Sequence, residues 1–155
     1  MEVMFVGEVL LSVPPRVKVL EALGAVAGGR VKVVDERNCL VDASEGPRTY
    51  KVYVDVEKKI ANSDDNGTFY RNYVGYPIIA FLMVKGLLSY DPAIAAPLAD
   101  IKWRTLNERY KSYWKVETLI KKMLSEKGVR LEDVDRFVSK VLEELATLGL
   151  RKPAT

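Results

Sequence analysis

The chain of 155 residues has no histidine, no glutamine and a single cysteine, Cys39. It also has no apolar run approaching the roughly 18 to 20 residues that a bilayer-spanning helix needs. Without histidine, Ser-His and Cys-His nucleophile pairs are excluded. One cysteine rules out an internal disulfide and a four-thiolate metal site, and fits a reducing compartment. Met1-Glu2-Val3-Met4 lacks the basic start of an export signal, so a soluble, cytoplasmic protein away from membranes is expected. Walker and Rossmann glycine spacings are also missing, so no enzyme, cofactor, bound metal or small-molecule substrate is expected.

What the chain has is 48% apolar residues, enough for one buried core, and 29% charged residues. Abundant Lys, Arg and Glu with few amides resembles heat-adapted proteins. The net charge of +3 is too mild to name a polyanionic partner, so the placement of the charge matters more than its sum.

Val3 to Leu11 reads as a buried strand interrupted by Gly7, and Ser12 before Pro14-Pro15 as the start of a helix over 16–26 that stops at Gly28-Gly29. Residues 31–34, 39–41 and 49–56 read as three meander strands. In the last of these Tyr50, Val52, Val54 and Val56 share a buried face, and Lys51, Tyr53 and Asp55 a half-wet one. Residues 57–67 read as a loop or lid ending in the turn sequence Asp64-Asp65-Asn66-Gly67. Pro77 opens an all-round apolar helix, Pro97 opens a long helix to about Ser125, and Gly128 precedes a last helix from Leu131 to Leu148. The expected fold is α+β: a small antiparallel sheet of about four strands packed with four to five helices, not an OB barrel. Residues 1–128 are expected to form one α+β domain, and 129–155 a C-terminal helix that either completes it or dimerises.

On the long helix, one face carries Leu106, Tyr110, Tyr113, Glu117, Ile120 and Leu124, and another lines up Arg104, Lys111, Lys115 and Lys122. Trp103, Trp114 and Asn107 fall between them. Residues 100–122 hold seven basic and three acidic side chains, so this segment is more positive than the whole molecule. Earlier in the chain, Phe69, Tyr70, Arg71, Tyr73 and Tyr76 put four aromatics and an arginine into eight residues. Cations interleaved with flat rings are what a single strand requires, because Lys and Arg neutralise phosphates while aromatic faces stack on any base. With Tyr53 on the wet sheet face, three segments offer this combination. Each also has a plainer reading, a solvated lysine face or tyrosines that seal the core edge. Asp64 and Asp65 are turn residues before they are a Mg²⁺ site, and Cys39 on a strand is a small core residue.

The cluster at 69–76, the segments Lys102-Trp103-Arg104 and Arg109 to Lys115, and the leucine-rich last helix together resemble the ThermoDBP family. These are single-stranded-DNA-binding proteins of some hyperthermophilic archaea. The resemblance implies a mixed α/β domain outside the OB class, an aromatic and basic cleft for single-stranded DNA, and a dimerising C-terminal zipper. RNA fits the same chemistry.

Leu131, Val134, Val138, Val141, Leu145 and Leu148 alternate by three and four, as in a homodimeric coiled coil, although Phe137 and Leu142 widen the stripe toward a core-facing one. Two other readings remain open. One is a helix-turn-helix over 116–148 on duplex DNA, which the acidic first turn Glu132, Asp133 and Asp135 disfavours. The other is a scaffold subunit that docks a protein through its aromatic patches.

Overall fold

The computed structural model describes residues 7–154. Its elements in chain order are β1 (Glu8–Leu10), α1 (Val17–Ala27), β2 (Val31–Val33), β3 (Asn38–Asp42), β4 (Thr49–Asp55), β5 (Ile60–Ser63) and α2 (Asn66–Arg71). There follow α3 (Tyr76–Val84), α4 (Pro92–Ala95), a 3₁₀ turn (Ala96–Leu98), α5 (Trp103–Tyr110), α6 (Tyr113–Glu126), α7 (Leu131–Leu148) and β6 (Arg151–Pro153). The class is α+β, but the strand and helix counts expected from sequence are corrected. Among the described residues six strands, not four, form one sheet in the order β1-β6-β5-β4-β3-β2, and there are seven α-helices rather than four to five. The sheet is mixed, since β5 and β6 run parallel while the other neighbours run antiparallel. No described helix is long and apolar enough to cross a membrane.

The uncounted strands come from segments too short to show a period. Lys59 takes a left-handed φ of 58° and the Asp55 carboxylate accepts the Lys58 N–H, which turns the chain back into β5. Residues 57–67 are therefore a hairpin turn, a strand and a helix cap, not a lid. β6 follows Gly149, whose left-handed φ ends α7, and pairs with both β1 and β5. The first strand is also corrected: Glu8–Leu10 is an exposed edge with Leu10 55% accessible, while residues 3–6 lie outside the described residues. Ser12 does not start α1. Its hydroxyl donates to the Asn72 carbonyl, and the helix begins at Val17.

Alternation does set the inner sheet face. Cys39, Val41, Val52 and Val54 point inward and are buried, and α3 packs on them through Ile78, Ile79, Phe81 and Leu82. Burial pushes the Cys39 thiol up to about 12, as suits a core residue. α1 lies on α3 and is surrounded by α4, the 3₁₀ turn, α6 and α7. At its closest approach a β-carbon on Gly24 would sit 2.7 Å from the Leu98 carbonyl oxygen, so only glycine lets the turn that leads into α5 come this near.

The long helix expected from Pro97 to Ser125 is three pieces. Pro97 sits in the 3₁₀ turn, α5 ends where Lys111 adopts a left-handed φ of 51°, and Ser112 then caps α6 by accepting the Lys115 N–H. The break rotates α6 relative to α5, so Arg104, Lys111, Lys115 and Lys122 do not form one row.

Candidate functional site

Three local devices shape a cleft on one side of α1. In the first, Asp65 caps α2 by accepting the Thr68 N–H and hydroxyl at 3.0 and 2.9 Å, and the Thr68 hydroxyl oxygen in turn accepts the Gly75 N–H at 3.0 Å. The chain reverses at Asn72, φ 57°, and the Tyr73 ring lies where a side chain on residue 67 would be, so Gly67 is required. This fold-back sends Tyr73 inward while Phe69 and Tyr70 stay exposed. In the second, the β3–β4 turn docks on the start of α5. Ser44 Oγ accepts the Trp103 N–H, and the Glu45 carboxylate accepts both the N–H and the hydroxyl of Thr105, which holds that carboxyl below its usual range. In the third, β4 turns Tyr50 to the helix side, where it meets Tyr76 edge-on with centroids 5.9 Å apart.

The resulting cleft, of about 890 Å³, is bounded by α1, the β3–β4 turn, α2, α5 and the start of α6. Its floor carries Lys18 and Glu21, joined at 2.7 Å, with Asn107 donating to the same Glu21 oxygen at 3.4 Å. Lys18 also lies over the Tyr113 ring, 4.8 Å from its centroid, and the Tyr113 and Tyr73 hydroxyls are 3.3 Å apart. Burial works to lower the Lys18 pKa, but the adjacent Glu21 carboxylate more than offsets it, and the net shift is upward. The Tyr50, Tyr73 and Tyr76 phenols are all raised, chiefly by burial, so they remain protonated donors.

Arginines stand at the rim. Arg48 lies over the Tyr50 ring at 4.9 Å and donates to the Asp64 carbonyl, Arg71 ends α2, and Arg104 pairs with exposed Glu108 at 3.4 Å. Among the described residues neither Arg48 nor Arg71 has a carboxylate partner, whereas Glu21, Glu45 and Asp65 are each bound within the fold. The lining thus carries four basic and four acidic side chains, with Arg48 and Arg71 as the basic ones that no carboxylate among the described residues pairs. No group of three or more Cys, Asp or Glu side chains among the described residues is placed to hold a metal ion.

The structure brings six of the sequence-selected residues to this cleft: Arg71, Tyr73, Tyr76, Trp103, Arg104 and Asn107. Trp103 is corrected in role. At 2% exposure it is a core residue, not an open stacking platform. Tyr53 and Phe69 line a separate, mostly apolar hollow of about 390 Å³ on the outer sheet face. Tyr70, Lys111, Trp114, Lys115 and Lys122 are exposed and line neither cavity; Trp114 is 72% accessible. The residues that sequence reasoning missed are Lys18, Glu21, Arg48, Tyr50 and Tyr113. A visible signal existed for two of them, since Lys18 and Glu21 are a charged pair at i,i+3 inside an otherwise apolar helix.

The C-terminal helix is used differently. Val134, Val138, Val141 and Leu145 are buried in the domain's own core, leaving Leu131 exposed and Leu148 half-buried, so little of that seam faces outward for a twin. Asp135 at its start binds Arg16 and Lys121 at 2.9 and 2.8 Å. α6, the Gly128 turn and α7 thus pack on α1.

No curated protein and no solved structure matches the chain. A family model matches residues 11–151, a span that contains every lining residue of the cleft. On that match the chain belongs to the family described as uncharacterised conserved protein UCP014422.

Proposed function

We propose that this protein binds single-stranded DNA in the cleft, with tolerance of sequence along the strand, and so protects exposed strands in the cytoplasm. The observation that carries this reading is one arrangement: Arg48, Arg71 and Arg104 on a rim above the tyrosine-lined cavity, two of them without a carboxylate partner. Such a rim neutralises phosphates, and the half-buried Tyr50 and Tyr76 and the more open Tyr113 keep ring surface that a base can contact, while Tyr73 is buried behind them. The resemblance to ThermoDBP proteins supports the same reading. RNA has the same phosphates and ring faces and is the first comparison to make.

The test is a titration of labelled single-stranded and duplex oligonucleotides of equal length, repeated over a salt series. Single strands should bind more tightly, and three rim arginines predict that log affinity falls against log salt with a slope of about −2. Equal or tighter binding to duplex would overturn the proposal in favour of a helix-turn-helix.

A further inference from the structure

Where α1 faces α5, polar groups gather on the cleft floor and satisfy one another only in part. Lys18, Glu21 and Gly24 follow at three-residue steps on α1, and Trp103 and Asn107 stand one turn apart on α5. Lys18 and Asn107 both bond to Oε1 of Glu21, and neither uses Oε2. Asn107 Oδ1 and Trp103 Nε1 have no hydrogen-bond partner at all, although both are enclosed. The Trp103 indole N–H faces bare Gly24, at 3.1 Å from where a β-carbon would sit. Buried polar groups are normally paired, and orphaned ones mark a place where something else completes the set.

The balance of these groups is lopsided. Of the acceptors, Asn107 Oδ1 is enclosed without a partner and Glu21 Oε2 accepts no hydrogen bond among the described residues, and against them stands one enclosed donor without a partner, Trp103 Nε1–H. A ligand that satisfies them supplies more N–H groups than it needs to receive. Resting on the single-strand reading above, we infer that the cleft floor takes the edge of one nucleobase with an exocyclic amino group and discriminates against thymine and uracil. The N4 amino group of cytosine, N6 of adenine and N2 of guanine each carry two hydrogens for two acceptors. Thymine and uracil have one N–H between two carbonyl oxygens, so their oxygens would face the carboxylate. Tolerance along the rest of the strand is unaffected, because stacking and phosphate contacts do not read base identity.

The experiment compares dC and dT oligomers of equal length, the two pyrimidines, by fluorescence anisotropy with the full chain at fixed salt. The cost of leaving a buried acceptor unpaired predicts tighter binding of dC by roughly tenfold or more. Asn107→Leu, similar in volume but without the acceptor, should bring the ratio of dC to dT affinity down toward one. Equal affinity of the wild-type protein for dC and dT overturns the inference while single-strand binding stands. Failure of both oligomers to bind removes the single-strand reading as well. A preference that survives unchanged in folded N107L also overturns it, and if N107L does not fold, the wild-type ratio decides.

Discussion

Two parts of this chain set cations beside large apolar side chains, the cleft and the seam where α6 and α7 pack on α1. In the seam the cations are consumed. Arg16 bridges Glu117 and Asp135 at 3.0 and 2.9 Å, Lys121 reaches Asp135 at 2.8 Å, and the apolar stripe of α7 is buried beneath them. At the cleft Glu21, Glu45 and Asp65 are bound instead by Lys18, backbone N–H groups and hydroxyls, and Glu108 by Arg104, which leaves Arg48 and Arg71 without a carboxylate partner among the described residues. Similar composition thus produces a closed structural joint in one place and an open charged mouth in the other. What separates them is where the acids make their bonds, not how many basic residues each region holds.

The largest effects that sharpen this contrast concern packing. Trp103→Ala should cost about 3–5 kcal/mol of stability, and Leu145→Ala in the α7 stripe about 2–5 kcal/mol, both read from denaturant unfolding. Trp103 is the more telling of the two, because a stacking role on an open surface would leave stability nearly intact. Leu145→Ala should leave nucleic-acid affinity of the folded protein unchanged.

Arg71→Ala makes the opposite separation. Stability should move by less than about 0.5 kcal/mol, as expected of an exposed side chain with no partner. Affinity for single strands should fall at every sequence, and the salt slope should become shallower by about 1. An unchanged slope would remove Arg71 from the rim.

Smaller still, Tyr113→Phe deletes the hydroxyl that meets Tyr73 at 3.3 Å and should cost about 0.5–1.5 kcal/mol, since the ring and its contact with Lys18 remain. A cost well above that range would mean that the hydroxyl pair organises the cleft as a network.

Lys18 in the cleft and Asp135 in the seam should also act at opposite ends of the pH scale. The folded pKa of Lys18 lies above its ordinary 10.5, so its contribution is full below that value and is lost as pH climbs through the raised one. The Asp135 carboxyl is held below its ordinary 3.8, first by the hydrogen bond from Lys121, so its contribution is full above 3.8 and lost as pH falls through the lowered value. Unfolding free energy followed against pH should therefore show a shallower alkaline limb in Lys18→Met, the remainder coming from the raised Cys39 thiol and the raised Tyr50, Tyr73 and Tyr76 phenols, and should keep its acid limb. An alkaline limb that is unchanged in Lys18→Met would detach the Lys18–Glu21 pair from stability.

Several elements were legible because one local period or one strong stop signal defines them. The meander alternation placed Tyr50, Val52 and Val54 on the buried side, and Pro77 opened an apolar helix within a residue of α3. β5 and β6 were not legible, since runs of four and three residues carry too little pattern and are held as strands by their neighbours. The cluster at 69–76 was recognised as a contact surface, yet its rings divide: Tyr73 and Tyr76 enter the cleft, Phe69 faces the outer hollow, and Tyr70 stays open. That division depends on Asp65 capping α2 and on Asn72 reversing the chain, neither of which a helical wheel registers.

The sequence by itself determined the chemical vocabulary of this protein. With no histidine and one cysteine it excludes the common nucleophile pairs, and its apolar periods place α1, α3 and α7 around a single core. Only the tertiary structure decided which charges remain available. A left-handed residue at Lys111 broke one apparent basic row, and Ser44 and Glu45 reached across about 60 positions to hold the start of α5. Lys18 and Glu21 on α1, Arg48, Tyr73 and Asn107 come from four separate segments, so their meeting in one cleft is a property of packing. Local periodicity sees the faces of one element at a time, whereas a cleft exists only where the faces of several elements fail to close on one another.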